Sequence, residues 1–322
     1  MNKHASIDCI IYGTSVADIL VRPVPLSTAV GGGRLLHVEP IQATTGGIVC
    51  NTGIAMRRLG MKVAAAGLVG HDPWGELIRG RLSVEGIDTS ALESHASLAT
   101  STTAVLIDPS GERSFAHHVG APAAIDAAYL ERTAPHAAKA RAAIVGYFGL
   151  LPGLEPELRR GLAALHATGC MVALETAGSG GSLAELSPAL PLVDLYVPSL
   201  DEAAHQAGTD DPRAILECYR DHGAAGIVGV KLGTRGTLLS PKPGEFLEIP
   251  CVPAPGPVAD TTGAGDSFVA GLVTGILRGM PLREAGLLGS ATAACCVTGI
   301  GATAGLRSFE ETLALLGHKP TG

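Results

Sequence analysis

Short apolar runs recur along the chain, and segments of helical composition lie between them. The runs are Asp8 to Tyr12, Val63 to Val69, Ala142 to Tyr147, Met171 to Leu174, Val193 to Val197 and Gly226 to Val230. The intervening segments, such as Gly47 to Leu59, Pro73 to Val84, Leu154 to Ala167 and Asp211 to His222, end near Gly or Pro. This alternation predicts an α/β protein with a mostly parallel sheet, and right-handed crossovers put helices on both of its faces. Residues 14–44 and 100–119 break the rhythm. In the second stretch, Thr102 to Ile107 and Arg113 to His118 flank Asp108-Pro109-Ser110-Gly111, a hairpin whose Pro and Gly supply the turn dihedrals. Strands inserted between βα units predict a small β-sheet lid over one end of the main sheet. Residues 1–322 therefore read as a single domain with a lid formed by inserts at about 14–45 and 98–120. Gly31-Gly32-Gly33 reads as a flexible turn in the first insert. From Thr261 onward the pattern becomes helix, helix, loop, helix.

Composition agrees with this layering. Apolar residues make up 46% of the chain and charged ones 16%, the bias expected of strands covered on both faces. The net charge is −7 with no run of like charge, which argues against a nucleic-acid or anionic-membrane partner. The uncharged run from Ala285 to Leu306 is long enough to span a bilayer, but its five glycines favour a buried helix followed by a Gly-rich loop. Seven cysteines without CxxC or metal-ligand spacing, and an N-terminus that does not read as a signal peptide, place the chain in a reducing cytoplasm.

The segment richest in chemistry is Asp260-Thr261-Thr262-Gly263-Ala264-Gly265-Asp266, followed by a helix of small residues. The first amides of a helix are unpaired and lie at its positive end, so Gly263, Ala264 and Gly265 form a site for phosphoryl oxygens. Asp266, in the same turn, can accept a proton from an attacking hydroxyl. A structural alternative is that Asp266 only complements the helix dipole.

Three ordered motifs resemble the ribokinase-like (PfkB) carbohydrate kinases. They are the Asp260–Asp266 segment, Gly46-Gly47 with Asn51 and a small-residue helix, and Gly67-Leu68-Val69-Gly70-His71-Asp72 with Gly86-Ile87-Asp88. The resemblance implies a doubly wound sheet with a β lid, ATP as donor and a sugar or nucleoside hydroxyl as acceptor. It implies that Asp266 is the base, that Asp18, Gly46, Gly47 and Asn51 meet the substrate, and that Lys231, Gly233, Thr234 and Gly236 belong to the nucleotide loop. The loop from Gly299 to Gly305, with Gly301, resembles the wall near adenine. With Asp260 and Thr262 it also resembles a monovalent-cation (K⁺) site, although Gly305 offers no side-chain oxygen. Ser199 stands where the family has Asn, while Glu202 is retained and would hold Mg²⁺ through water. One of His117 and His118, not both, should face the substrate. A homodimer through an apolar lid face made by Leu35, Leu36, Val38, Val105 and Ile107 is a further expectation. Competing readings are a nucleoside kinase and a non-catalytic sugar or nucleotide sensor. A dinucleotide-dependent oxidoreductase is disfavoured because no GxGxxG follows the first strand.

Overall fold

The structure, a computed structural model, describes residues 5–27, 33, 35–178 and 180–317, so the glycines at 31 and 32 lie outside the described residues. The strands are β1 (Ile7–Tyr12), β2 (Val16–Val21), β3 (Gln42–Gly46), β4 (Val63–Gly70), β5 (Asp88–His95), β6 (Ser101–Ile107) and β7 (Arg113–His118). They continue with β8 (Ala140–Val145), β9 (Met171–Leu174), β10 (Leu195–Tyr196), β11 (Ile227–Lys231), β12 (Thr237–Ser240) and β13 (Leu247–Ile249). The helices are α1 (Gly47–Arg58), α2 (Pro73–Val84), α3 (Ala127–Ala137), α4 (Leu158–His166) and α5 (Leu183–Leu186). After these come α6 (Leu200–Ala207), α7 (Pro212–Asp221), α8 (Ala264–Leu277), α9 (Leu282–Cys296) and α10 (Phe309–Ala314).

The main sheet has the order β13-β12-β11-β10-β9-β8-β1-β4-β5 and is parallel from β11 to β5, with the β11–β12 and β12–β13 pairs antiparallel. Helices cover both faces, as the alternation predicts. Strand β4 shows why its run is almost wholly apolar. Ala64, Ala66 and Leu68 join the core beneath α3, α4 and α7, while Val63, Ala65 and Val69 join the core beneath α1, α8 and α9. Leu158, not Leu154, begins α4, because Pro156 confines the preceding residues to a single 3₁₀ turn over Glu155–Glu157.

Helices α8 and α9 approach so closely that a side chain on Gly271 or Gly275 would strike Gly289 or Ala285. This contact seats the start of α8 at the carboxyl end of the parallel strands, where α/β sheets bind ligands.

The lid is a separate sheet of order β3-β2-β6-β7. Its alternation corrects one expectation. Val105 and Ile107 share the face of Asp18 and Thr103 and line the cavity beneath the lid, so they do not contribute to an outer apolar face. The outer face instead carries Ile19, Val21, Ala104 and Leu106, each partly exposed.

Candidate active site

Gly263 begins α8 in the left-handed conformation (φ 76°), and any side chain there would collide with Ala302. No side chain caps this helix start, and although the Ala264 amide donates to the Thr261 carbonyl at 3.3 Å, the next amides at the start of α8 are not capped. Asp266 lies one turn in and is only 5% exposed. Its Oδ2 accepts from Asn51 Nδ2 at 2.8 Å, and the Tyr147 hydroxyl reaches both carboxylate oxygens at 2.8 Å. Burial raises the Asp266 pKa, while the bonds from Asn51 and Tyr147 and the charge of Lys231 hold it back. The result is a carboxylate whose charged form is disfavoured by burial and supported by two hydrogen bonds and a nearby cation. Tyr147 is the only non-glycine with positive φ among the described residues (φ 60°), a strained conformation in which its hydroxyl meets the Asp266 carboxylate. The Asn51 Oδ1 is buried without a partner, an acceptor left over for a substrate hydroxyl.

Two cavities meet at this helix start. The one beneath the lid, about 620 Å³, gathers Asp18, Gly46, Gly47 and Asn51 with Tyr147, Asp260 and Thr262. All four residues expected to meet the substrate are therefore brought together. Gly46 leaves room for the Asp18 carboxylate, which a Cβ at this position would displace. Cross-strand pairing sets Asp18 beside Thr103, whose hydroxyl lies 3.0 Å from His117 Nδ1. His117 lines the cavity and His118 does not, as the strand alternation demands. Burial pushes the Asp18 pKa up to about 6.

The second cavity, about 600 Å³, gathers Ser199, Lys231, Gly233, Thr234 and Gly236 with Thr261, Ala264 and Gly265. Its apolar wall comes from Val252, Pro253, Ala254 and Val258, from the α9 residues Ala293 and Ala294 and from Val297 just after α9, none of which the sequence motifs single out. Lys231 is not a surface charge. Its Nζ bonds Glu175 Oε2 at 3.0 Å and would lie 3.5 Å from a Cβ on Gly265, beside the anion hole. Burial pushes Glu175 up to about 8, while the carboxylates of Glu175, Glu202 and Asp266 hold Lys231 protonated against its own burial.

Three assignments are revised. Gly301 lines the lid-side cavity instead of the nucleotide side, because the loop folds back to donate its amide to Asp260 Oδ2 at 2.8 Å. Ser199 and Glu202 form a reciprocal capping box at the start of α6, so one Glu202 oxygen is taken by the Ser199 amide at 2.7 Å. Asp260 and Thr262 carry the guanidinium of Arg113, with Nη2 at 2.6 Å from Asp260 Oδ1 and Nη1 on the Thr262 hydroxyl. The two side-chain oxygens expected to serve a monovalent cation are thus both in contact with Arg113.

Reading from sequence missed Tyr147, Glu175 and Arg113. The first two directly follow β8 and β9 at the carboxyl edge of the sheet, a placement that marks ligand-contacting positions in such folds. Nothing in the sequence around Arg113 signals its partner.

A profile of the pfkB family carbohydrate kinases matches residues 10–308. The chain belongs to that family. Among curated relatives, ribokinase of Haemophilus influenzae is 29% identical over 316 residues, covering 96% of this chain and 98% of its own. The 2-dehydro-3-deoxygluconokinase of Bacillus subtilis is 25% identical over 98% of this chain and 97% of its own. Among solved structures, Arabidopsis thaliana ribokinase, complexed with ribose and ATP, superposes with a TM-score of 0.82 at 22% identity, covering 97% of this chain and 99% of that one. The pfkB fold, a doubly wound sheet with a small β lid, is thus shared along the whole chain. No helix among the described residues is long and apolar enough to cross a membrane.

Proposed function

We propose that this sugar kinase transfers the γ-phosphoryl group of ATP to a hydroxyl, most naturally a hydroxymethyl group, of a sugar or sugar derivative in the cytoplasm. The observation that carries the reading is the placement of Asp266 and the uncapped start of α8 between two cavities, one holding all the substrate-facing residues and the other the nucleotide loop. Asp18 accepts the sugar hydroxyls, Asn51 and Tyr147 orient Asp266, and Asp266 takes the proton of the attacking hydroxyl. The α8 amides and Lys231 meet the charge on the transferring group.

Mg²⁺ fits the site as a hydrated ion. No group of three or more His, Cys, Asp or Glu among the described residues could cage a metal. Glu202 and Asp266 nevertheless lie near enough to Lys231 to act on its charge, and their carboxylates suit a cation that arrives with the triphosphate and keeps its waters. Glu202 would hold such a water, and the ion would neutralise phosphate charge.

The test is turnover across ribose, fructose, 2-keto-3-deoxygluconate, adenosine and inosine, with and without excess EDTA. We expect Mg²⁺-dependent phosphorylation of a sugar. Full activity in EDTA would remove the metal assignment, and turnover confined to nucleosides would move the protein to the second reading. That reading, a nucleoside kinase, draws on the apolar rim of the lid cavity, where Phe115, Val119 and Leu150 remain 63%, 41% and 41% exposed and could cover a base.

The homodimer is retained on a different face. Ile19, Val21, Ala104 and Leu106 make the outer side of the lid sheet apolar, and we expect light scattering at micromolar concentration to give a dimer that Leu106→Glu dissociates.

A further inference from the structure

Asp260 precedes the anion-hole turn and is only 6% exposed. Its carboxylate is the junction of three segments. Oδ1 accepts from the Thr262 amide at 2.7 Å, Oδ2 accepts from the Gly301 amide at 2.8 Å, and Arg113 reaches Oδ1 from the first residue of β7 in the lid. A carboxylate this deep needs a counter-charge, since an unpaired buried charge is strongly unfavourable. Among the described residues, Arg113 has no other acidic partner, and its side chain is itself 24% exposed. The planar guanidinium spans the carboxylate and the Thr262 hydroxyl with two different nitrogens, a fork that suits Arg better than Lys. A free monovalent cation fits poorly here, because Arg113 already holds the Asp260 and Thr262 oxygens and Gly305 supplies no side-chain oxygen.

We infer that Arg113 is a positioning residue that serves as a tethered cation, so that closing the lid delivers the charge that orders Asp260–Gly263 and no monovalent ion is needed there. The inference rests on the kinase reading above for its consequence in turnover, but not for its structural content. Arg113 acts through Asp260. Asp260 pins the turn that leads into α8 through the Thr262 and Gly301 amides, and Arg113 balances its buried charge while the lid strand lies over it.

The experiment compares the intact protein with Arg113→Met in buffers whose sole monovalent cation is either K⁺ or tetramethylammonium, an ion too large for the gap that the guanidinium would leave. For the unaltered protein, kcat and Tm should be the same in both buffers. In tetramethylammonium, Arg113→Met should lose about ten- to a hundredfold in kcat and about 2–4 °C in Tm, with both largely restored by K⁺ or by guanidinium at sub-denaturing concentration. Three results would overturn the inference: a severalfold gain in turnover or a higher Tm when the unaltered protein receives K⁺, a variant indifferent to the loss, or a variant that no small cation rescues. If no sugar or nucleoside is turned over at all, the kinase reading fails while the Tm comparison still decides the role of Arg113. Should Arg113→Met fail to fold, Arg113→Gln, which keeps hydrogen bonding without charge, supports the same comparison.

Discussion

Replacing Asp266 by Asn should lower kcat by about two to four orders of magnitude, the span usual for loss of a general base. The substitution keeps the shape and volume of the side chain, and the Asn51 and Tyr147 bonds at 2.8 Å can persist in part to the amide oxygen. What disappears is the proton acceptor. ATP affinity should change little, because the nucleotide cavity is built from other residues. Stability gives a second readout. Burial raises the Asp266 pKa, so the folded state resists its ionisation, and the strain of keeping it charged grows as pH rises through the folded value. Asp266→Asn should therefore match or exceed the parent Tm at pH 8. If Asp266 served only as the acid of a helix start, the variant would instead lose roughly 0.3–1 kcal/mol of stability and keep its turnover. Measuring kcat, ATP affinity and Tm on this one variant separates the two roles, and near-normal turnover would sink the assignment.

Asp18→Ala should cut kcat/KM by about 10²–10⁴-fold, most of it in KM for the acceptor. A carboxylate that receives two sugar hydroxyls makes charge-assisted bonds of about 1.5–3 kcal/mol each, and every 1.4 kcal/mol is tenfold. The pH profile carries the signature of this residue. With its pKa raised by burial to about 6, Asp18 is protonated below that pH and loses acceptor capacity, so kcat/KM should fall as pH drops through 6. The limb at 6 should vanish in Asp18→Ala. Because ionisation of Asp18 is disfavoured in the folded state, its contribution to stability is present at low pH and is lost as pH rises through 6, so the alanine variant should be no less stable than the parent at pH 8. A variant with unchanged KM and an intact acid limb would show that another group binds the sugar.

The elements that local pattern could disclose were disclosed. Strands β1, β4, β9 and β11 fall where their apolar runs lie, and the β6–β7 hairpin forms around the Pro109 and Gly111 turn. Gly263 is legible from its neighbours alone, because a Gly-x-Gly-Asp turn opening a small-residue helix suits an anion, and its left-handed φ agrees. Face was legible less often than element. Val105 and Ile107 were placed on the outside of the lid, yet their strand register with Asp18 and Thr103 turns them inward. Alternation in a short strand says which residues share a face but not which face is covered.

The sequence alone thus determined the layered α/β fold, and its short motifs and their family resemblance pointed to Asp266, Gly263 and Gly265, and to Asp18, Gly46, Gly47 and Asn51, as the candidate site residues that the structure gathers around two cavities. Only the tertiary structure decided the partners drawn from distant segments. Tyr147 meets Asp266 across 119 positions, Lys231 pairs with Glu175 across 56, and Arg113 reaches Thr262 across 149. A turn or a helix start is specified by dihedrals and amides within a few residues, whereas a buried charge takes whichever counter-charge the packing of separate elements brings within reach.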